Sequence, residues 1–152
     1  MIKKKIIIID DNPLILSLVK EIIEEEHELE ISHMTTEKNE FLNLVLQDSF
    51  DVALIDISVG GKNGGIELLQ ILKDKGINLP SIMFSAHSEL DYALKCFQAG
   101  AKGYISKNYV CTDLITGLKE VLNGNSFISG EKGKKILNEY QKFTEVHMNI
   151  SK

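Results

Sequence analysis

Short runs of apolar residues, many of them β-branched, alternate along the chain with longer segments in which apolar residues recur every three or four positions. The runs predict strands covered on both faces, because a strand with one exposed face would alternate apolar and polar residues. The recurring positions predict amphipathic helices that bury one face. The predicted strands cover residues 5–9, 29–33, 51–55, 79–84 and 103–106.

Each predicted strand is followed by a predicted helix, which gives five strand–helix units within about the first 124 residues. This alternation is typical of an α/β fold, and it predicts a doubly wound, five-stranded parallel sheet with helices on both faces. Local signals agree at the first helix, where Asn12 is a predicted N-cap and Pro13 occupies the first helical position. We expect this domain to cover residues 1–125.

The remaining residues, 126–152, are expected to form an extra C-terminal helix and a linker-like tail. An amphipathic pattern over residues 131–143 predicts a helix that packs against the domain or against a partner, with frayed residues after Thr144. The apolar side of this helix carries Ile136, Leu137, Tyr140 and Phe143.

Charge and composition argue against one class of function, the binding of nucleic acid. The net charge of the 152 residues is −5, and all 17 basic residues are lysine. Arginine, which makes bidentate contacts with guanine and phosphate, is absent. We therefore expect no binding of nucleic acid by this chain alone.

Neither a membrane span nor a secretory signal is predicted. The longest β-branched apolar stretch, Ile6 to Ile9, is far shorter than the roughly 20 residues that cross a bilayer, and aspartates follow it directly. Cys96 and Cys111 lack the spacing of metal ligands, so we expect reduced thiols and a cytoplasmic location.

Polar side chains follow four of the predicted strands: Asp10 and Asp11, then Asp56, then Ser85, then Lys107. Ligands of open α/β sheets bind outside the carboxyl ends of the strands, so these side chains are expected to converge. Three clustered carboxylates favour a divalent cation, and oxygen ligands suit Mg²⁺ or Mn²⁺. A lysine and a hydroxyl beside that cation can contact phosphoryl oxygens, which makes Asp56 a candidate nucleophile that forms an aspartyl-phosphate.

The order and spacing of four segments resemble the receiver domain of two-component response regulators. The segments are IIIIDDNP (6–13), DVALIDIS (51–58), SIMFSAH (81–87) and GYISK (103–107). The resemblance covers residues 4 to about 124, and it implies the flavodoxin-like (βα)5 fold and a phosphorylation switch in phosphorelay signalling. It also implies no enzymatic turnover beyond self-phosphorylation and slow self-dephosphorylation.

The resemblance assigns roles position by position. Asp56 would accept a phosphoryl group from a histidine kinase or a phosphotransfer protein. Asp11, Asp56 and the Ser58 backbone carbonyl would ligate Mg²⁺, with Asp10 assisting directly or through water. Lys107 would contact the phosphoryl group.

Four further roles follow from the same resemblance. Ser85 would shift to bond a phosphoryl oxygen, and Tyr104 matches the aromatic residue that turns inward as Ser85 moves. Ser58 and His87 occupy positions that tune dephosphorylation in the family. These roles describe a switch in which the added charge changes the surface near the fourth helix.

Two prolines that are usual in the family are replaced here. Gly60 stands four residues beyond Asp56, and Asn108 follows Lys107. The loop over residues 59–65 is also one residue longer than usual, so we expect a looser loop and an altered phosphate lifetime.

Alternative functions and assemblies stay open at the level of sequence. A metal-dependent phosphatase with an aspartate nucleophile usually has a second aspartate two residues later, where Asp56 has Ser58 and Asp10 has Asn12. The other alternative is a binding module that does not use phosphate, such as a pseudo-receiver or a flavin carrier.

The segment NGNSFISGEKGKKIL (123–137) is most similar to receivers that precede a helix-turn-helix. The chain is therefore expected to be either a stand-alone receiver or the receiver of a DNA-binding regulator. A homodimer formed through residues 131–143 and the fourth helix is a hypothesis.

Overall fold

The computed structural model describes the backbone of residues 2–86 and 90–150, and the side chains of residues 2–86 and 91–143. Its sheet has six parallel strands in the order β2-β1-β3-β4-β5-β6. The strands are β1 (Lys4–Ile9), β2 (Leu29–Thr35), β3 (Val52–Asp56), β4 (Ser81–Ser85), β5 (Gly103–Ser106) and β6 (Phe127–Ile128). The helices are α1 (Pro13–Glu24), α2 (Lys38–Gln47), α3 (Gly64–Asp74), α4 (Leu90–Gln98), α5 (Val110–Leu122) and α6 (Gly130–Ile150).

The predicted doubly wound parallel sheet is confirmed, with six strands where the sequence predicted five. The additional strand, β6, has two residues and pairs with β5 in the register Gly103↔Phe127 and Tyr104↔Ile128. A strand of two residues is too short to produce a periodic pattern, which explains why the sequence did not reveal it. The predicted division of the chain at residue 125 stays a prediction.

Two apolar layers enclose the sheet. Side chains of β1 alternate between them: Ile6 and Ile8 pack with residues of α1 and α5, whereas Ile7 and Ile9 pack with residues of α2, α3 and α4. All four isoleucines are fully buried, as expected for a central parallel strand.

The first helix begins as the sequence predicted. The side chain of Asn12 accepts a hydrogen bond from the backbone N–H of Leu14 at 3.0 Å, and Pro13 occupies the first turn. This cap fixes the direction in which the chain leaves β1 and passes Asp10 and Asp11.

The extra C-terminal helix α6 is longer than its predicted extent of residues 131–143. Ile136 and Leu137 pack against the apolar layer that contains α4, and the ring centroids of Tyr140 and Phe97 lie 6.1 Å apart. The backbone continues as helix past Thr144, where fraying was expected. Among the described residues, no helix combines the length and the apolar content that a bilayer span requires.

Candidate functional site

Two neighbouring strands place the carboxylates side by side. Asp56 is the last residue of β3, and Asp10 follows β1 directly, with Ile9 opposite Ile55 in the register. Each of Asp10, Asp11 and Asp56 offers a carboxylate oxygen, and these oxygens lie within 4.8 Å of one another. Asp10 and Asp56 are buried, while Asp11 is exposed.

The amine of Lys107 lies between two of these carboxylates. Its Nζ is 3.0 Å from Asp10 Oδ2 and 3.6 Å from Asp56 Oδ1, and the side chain is 19% exposed. Lys107 reaches this position because it directly follows β5, so that it leaves the sheet at the same edge as the aspartates. The amine offsets the mutual repulsion of two buried carboxylates.

The surroundings of the Asp10 carboxyl raise its pKa. Burial raises its pKa above the ordinary value, and the nearby charge of Asp56 adds to the increase. The hydrogen bond from the Asn12 backbone N–H to Asp10 Oδ1, at 2.8 Å, and the Lys107 amine oppose the increase. A buried carboxylate is costly to keep charged. A further positive charge at this site would therefore stabilise the ionised form of Asp10.

The surroundings of Asp10 Oδ2 indicate whether a metal ion fits among these carboxylates. Asp10 Oδ2 is buried and forms the ion pair with Lys107, yet it has no hydrogen bond of acceptable geometry within the described part of the chain. An acidic oxygen with unused acceptor capacity, close to oxygens of Asp11 and Asp56, suits a hard divalent cation. The donor set is entirely oxygen, as Mg²⁺ and Mn²⁺ prefer.

Ser58 forms hydrogen bonds with the carboxylate of Asp56. Asp56 Oδ1 accepts hydrogen bonds from the Ser58 backbone N–H at 3.2 Å and from Ser58 Oγ at 3.1 Å, and Oγ is also 3.3 Å from Oδ2. The Ser58 carbonyl oxygen, which the resemblance names as a metal ligand, accepts a hydrogen bond from the Gly61 N–H at 3.1 Å. A carbonyl oxygen has a second lone pair, so this bond leaves room for a cation.

An open cleft of about 160 Å³ lies beside Asp56. Ser85, at the end of the adjacent strand β4, lines the cleft together with Ser58 and Tyr92. Lys62 of the glycine-rich loop also lines it, and sequence reasoning missed this residue because a lysine in a loop carries no pattern. The otherwise buried Asp56 therefore borders an open cleft.

The structure describes one of the two remaining predicted residues, Tyr104. Tyr104 lies on β5 opposite Met83 of β4 and is buried, with 2% of its surface exposed. It belongs to the apolar layer that also contains residues of α4. His87 lies outside the described residues.

The two replaced prolines have different structural consequences. Gly60 has φ +69°, a conformation closed to proline, whose ring holds φ near −65°. The loop after Asp56 therefore follows a path that requires the glycine. The peptide bond between Lys107 and Asn108 is trans, and Lys107–Tyr109 forms a single 3₁₀ turn that leads into α5.

Comparison with known proteins gives one family. The sequence model of the response regulator receiver domain matches residues 6–119. The transcriptional regulatory protein ComA of Bacillus subtilis is 27% identical over 137 residues, which cover 90% of this chain and 64% of ComA. The DNA-binding transcriptional activator EvgA of Escherichia coli K12 is 30% identical over 118 residues, which cover 78% of this chain and 57% of EvgA.

Solved structures show the same fold. A two-component response regulator of the LuxR family from Aurantimonas sp. SI85-9A1 superposes with a TM-score of 0.80 and 22% identity, over 91% of this chain and 98% of that chain. The chain itself spans 57% to 64% of the length of the two curated relatives.

Proposed function

Because the chain belongs to the family of response regulator receiver domains, which act in phosphorelay signalling, we propose that its Asp56 is the phosphoryl acceptor of a switch. One observation carries the proposal. The buried carboxylate of Asp56 lies beside two further aspartates and 3.6 Å from the Lys107 amine, and it borders an open cleft. The donor is the phosphohistidine of a histidine kinase or a phosphotransfer protein, the partners that phosphorylate receivers of this family.

Mg²⁺ is the proposed cofactor, with Mn²⁺ as a substitute. Asp10, Asp11, Asp56 and the Ser58 backbone carbonyl would hold it, and Asp10 Oδ2 has the unused acceptor capacity for it. When bound, the cation supplies positive charge against the phosphoryl oxygens.

The transfer forms one bond and breaks another. A carboxylate oxygen of Asp56 attacks phosphorus, the phosphorus–nitrogen bond of the donor breaks, and the departing imidazole takes up a proton. Lys107 would neutralise charge on the phosphoryl oxygens, and its amine, 3.6 Å from Asp56 Oδ1, supports this role. Ser85 lines the same cleft, and its hydroxyl would donate to one of them.

The switch follows from the added charge. By analogy with other phosphorylated residues, the phosphoryl group adds a charge of about −1.5 to −2. That charge would draw Ser85 and Lys107 toward Asp56, and the movement of Ser85 would be accompanied by a change at Tyr104 and α4. Ser58, which hydrogen-bonds Asp56, and His87 would set the rate of dephosphorylation.

The output is a partner or a further domain whose activity depends on phosphorylation. The names of ComA and EvgA describe regulators of transcription, and both proteins are longer than the matched region. We therefore propose a role in transcriptional control in the cytoplasm, with DNA bound by a segment other than this chain.

Pairing of two copies through α6 and α4 is the proposed form of the active state.

The test is labelling by acetyl phosphate or phosphoramidate in Mg²⁺, followed by intact mass. The wild-type protein should gain one phosphoryl group, and Asp56→Asn should gain none. Asp51→Asn is the matched control, because Asp51 directly precedes β3, far from the end that carries Asp56, and accepts a hydrogen bond from the Lys5 N–H. Equal labelling of Asp56→Asn and wild type would exclude the proposed acceptor, and an unlabelled wild type would favour a phosphate-independent module.

A further inference from the structure

The junction between β6 and α6 is hydrogen-bonded to the strand that precedes Lys107. We name residues 127–130 the β6–α6 corner. Phe127 belongs to the apolar layer of α1 and α5, and Ile128 belongs to the layer on the opposite face. The corner is thus built into both layers of the domain.

One hydrogen bond joins this corner to the residue before Lys107. The Ser106 backbone N–H donates to Ser129 Oγ at 3.0 Å, and both residues are buried. The Ser129 backbone N–H in turn donates to the Tyr104 carbonyl at 2.9 Å. Ser129 therefore continues the pairing of β6 with β5 by one residue and ends it with a side-chain acceptor.

Gly130 of the corner lies close to Tyr109, the last residue of the turn that contains Lys107, and is bonded to the helix that follows. Gly130 has φ +81°, and a Cβ at this position would lie 3.1 Å from Cζ of the Tyr109 ring. The Gly130 N–H donates to Asp113 Oδ2 at 2.8 Å, and Asp113 lies in the first turn of α5. The residue before the 3₁₀ turn Lys107–Tyr109 is therefore bonded to Ser129, and the helix turn after it is bonded to Gly130.

We infer that Ser129 is a positioning residue for Lys107. Its hydroxyl fixes the backbone at Ser106, and this fixes where the Lys107 side chain leaves the sheet. The amine can then lie 3.0 Å from Asp10 and 3.6 Å from Asp56. The inference rests on the proposed function, because it assigns Ser129 a part in the phosphoryl transfer to Asp56.

The assignment predicts a specific kinetic change. In Ser129→Ala the Ser106 N–H loses its buried partner, so Lys107 is held less firmly and labelling by phosphoramidate should slow about tenfold. The half-saturating Mg²⁺ concentration should not rise, since the carboxylates stay in place. A general loosening of the domain would instead weaken Mg²⁺ binding as well.

The deciding experiment is a double-mutant cycle in the full chain, with labelling rates of wild type, Ser129→Ala, Lys107→Ala and the double variant. If Ser129 acts through Lys107, then Ser129→Ala should have no further effect in the Lys107→Ala background. An equal fold-loss in both backgrounds would overturn the inference. A wild type that is not labelled would refute the proposed function instead, so the two failures are distinguishable.

Three other variants complete the test. Ser129→Thr keeps the acceptor oxygen and should restore most of the rate. Ser129→Cys keeps a side chain of similar volume but offers only a weak hydrogen-bond acceptor. It takes the place of Ser129→Ala in the experiment if the alanine variant does not fold. Ser32→Ala removes a buried hydroxyl that has no hydrogen-bond partner in the described residues, and it should label like wild type. Wild-type rates for both Ser129→Ala and Ser129→Cys would also overturn the inference.

Discussion

Replacement of Lys107 by methionine removes the positive charge between two buried carboxylates while it keeps most of the side-chain volume. Lys107 Nζ contacts Asp10 and Asp56 at 3.0 Å and 3.6 Å, and its side chain is only 19% exposed. Removing one partner of a buried ion pair typically costs about 3–5 kcal/mol. Because Lys107 is partly exposed, we expect the free energy of unfolding in EDTA to fall by about 2–3 kcal/mol.

Mg²⁺ should reverse part of this loss. Without the amine, Asp10 Oδ2 loses its ion pair, so the cation becomes the remaining source of positive charge for the carboxylates. A ligand at ten times its dissociation constant stabilises the folded state by about 1.4 kcal/mol. We expect the gain in stability at a fixed Mg²⁺ concentration to be larger for Lys107→Met than for wild type.

Urea unfolding, followed by far-UV circular dichroism in EDTA and in Mg²⁺, measures both effects. Lys119→Met is the matched control, because Lys119 Nζ lies 3.0 Å from Glu28 and 3.4 Å from Glu26 at an exposed position. Exposed pairs contribute little to stability, so this control should lose less than Lys107→Met. Equal losses for the two variants, or a smaller Mg²⁺ effect in Lys107→Met than in wild type, would refute the electrostatic account of the site.

The remaining predictions concern the loop after Asp56 and the two thiols. Gly60→Pro should lower the free energy of unfolding by more than about 1 kcal/mol, because φ +69° is closed to proline; an unchanged urea midpoint would contradict this. Native protein at pH 8 should react with a thiol reagent at the exposed Cys111 only, because burial raises the pKa of Cys96 to about 12. Fast labelling that persists in Cys111→Ala would show that Cys96 is accessible.

The sequence predicted the fold well for a physical reason. Strands such as β1 and β3 are buried on both faces, so they appear as continuous apolar runs whose ends are marked by polar residues. In a parallel sheet those ends meet at one edge, and this is why the sequence predicts that Asp10, Asp56 and Lys107 converge. The structure places these three side chains in contact.

Other features depend on contacts that leave no pattern in the sequence. The strand β6 has two residues, and the bond from Ser106 to Ser129 joins a backbone N–H to a side chain 23 positions away. Ser58 was expected to act through its carbonyl and in dephosphorylation, whereas the structure also shows its hydroxyl against Asp56. Such side-chain contacts depend on the local backbone path, which hydrophobic periodicity does not specify.

The central claim is that Asp56 carries the phosphoryl group, and residue-level mapping tests it most directly. Protein labelled in Mg²⁺ is reduced with borohydride, which converts an aspartyl-phosphate to homoserine, and the peptides are then sequenced by mass spectrometry. We predict homoserine at position 56 alone. Homoserine at position 10 or 11, or label retained on a side chain other than aspartate, would contradict the account.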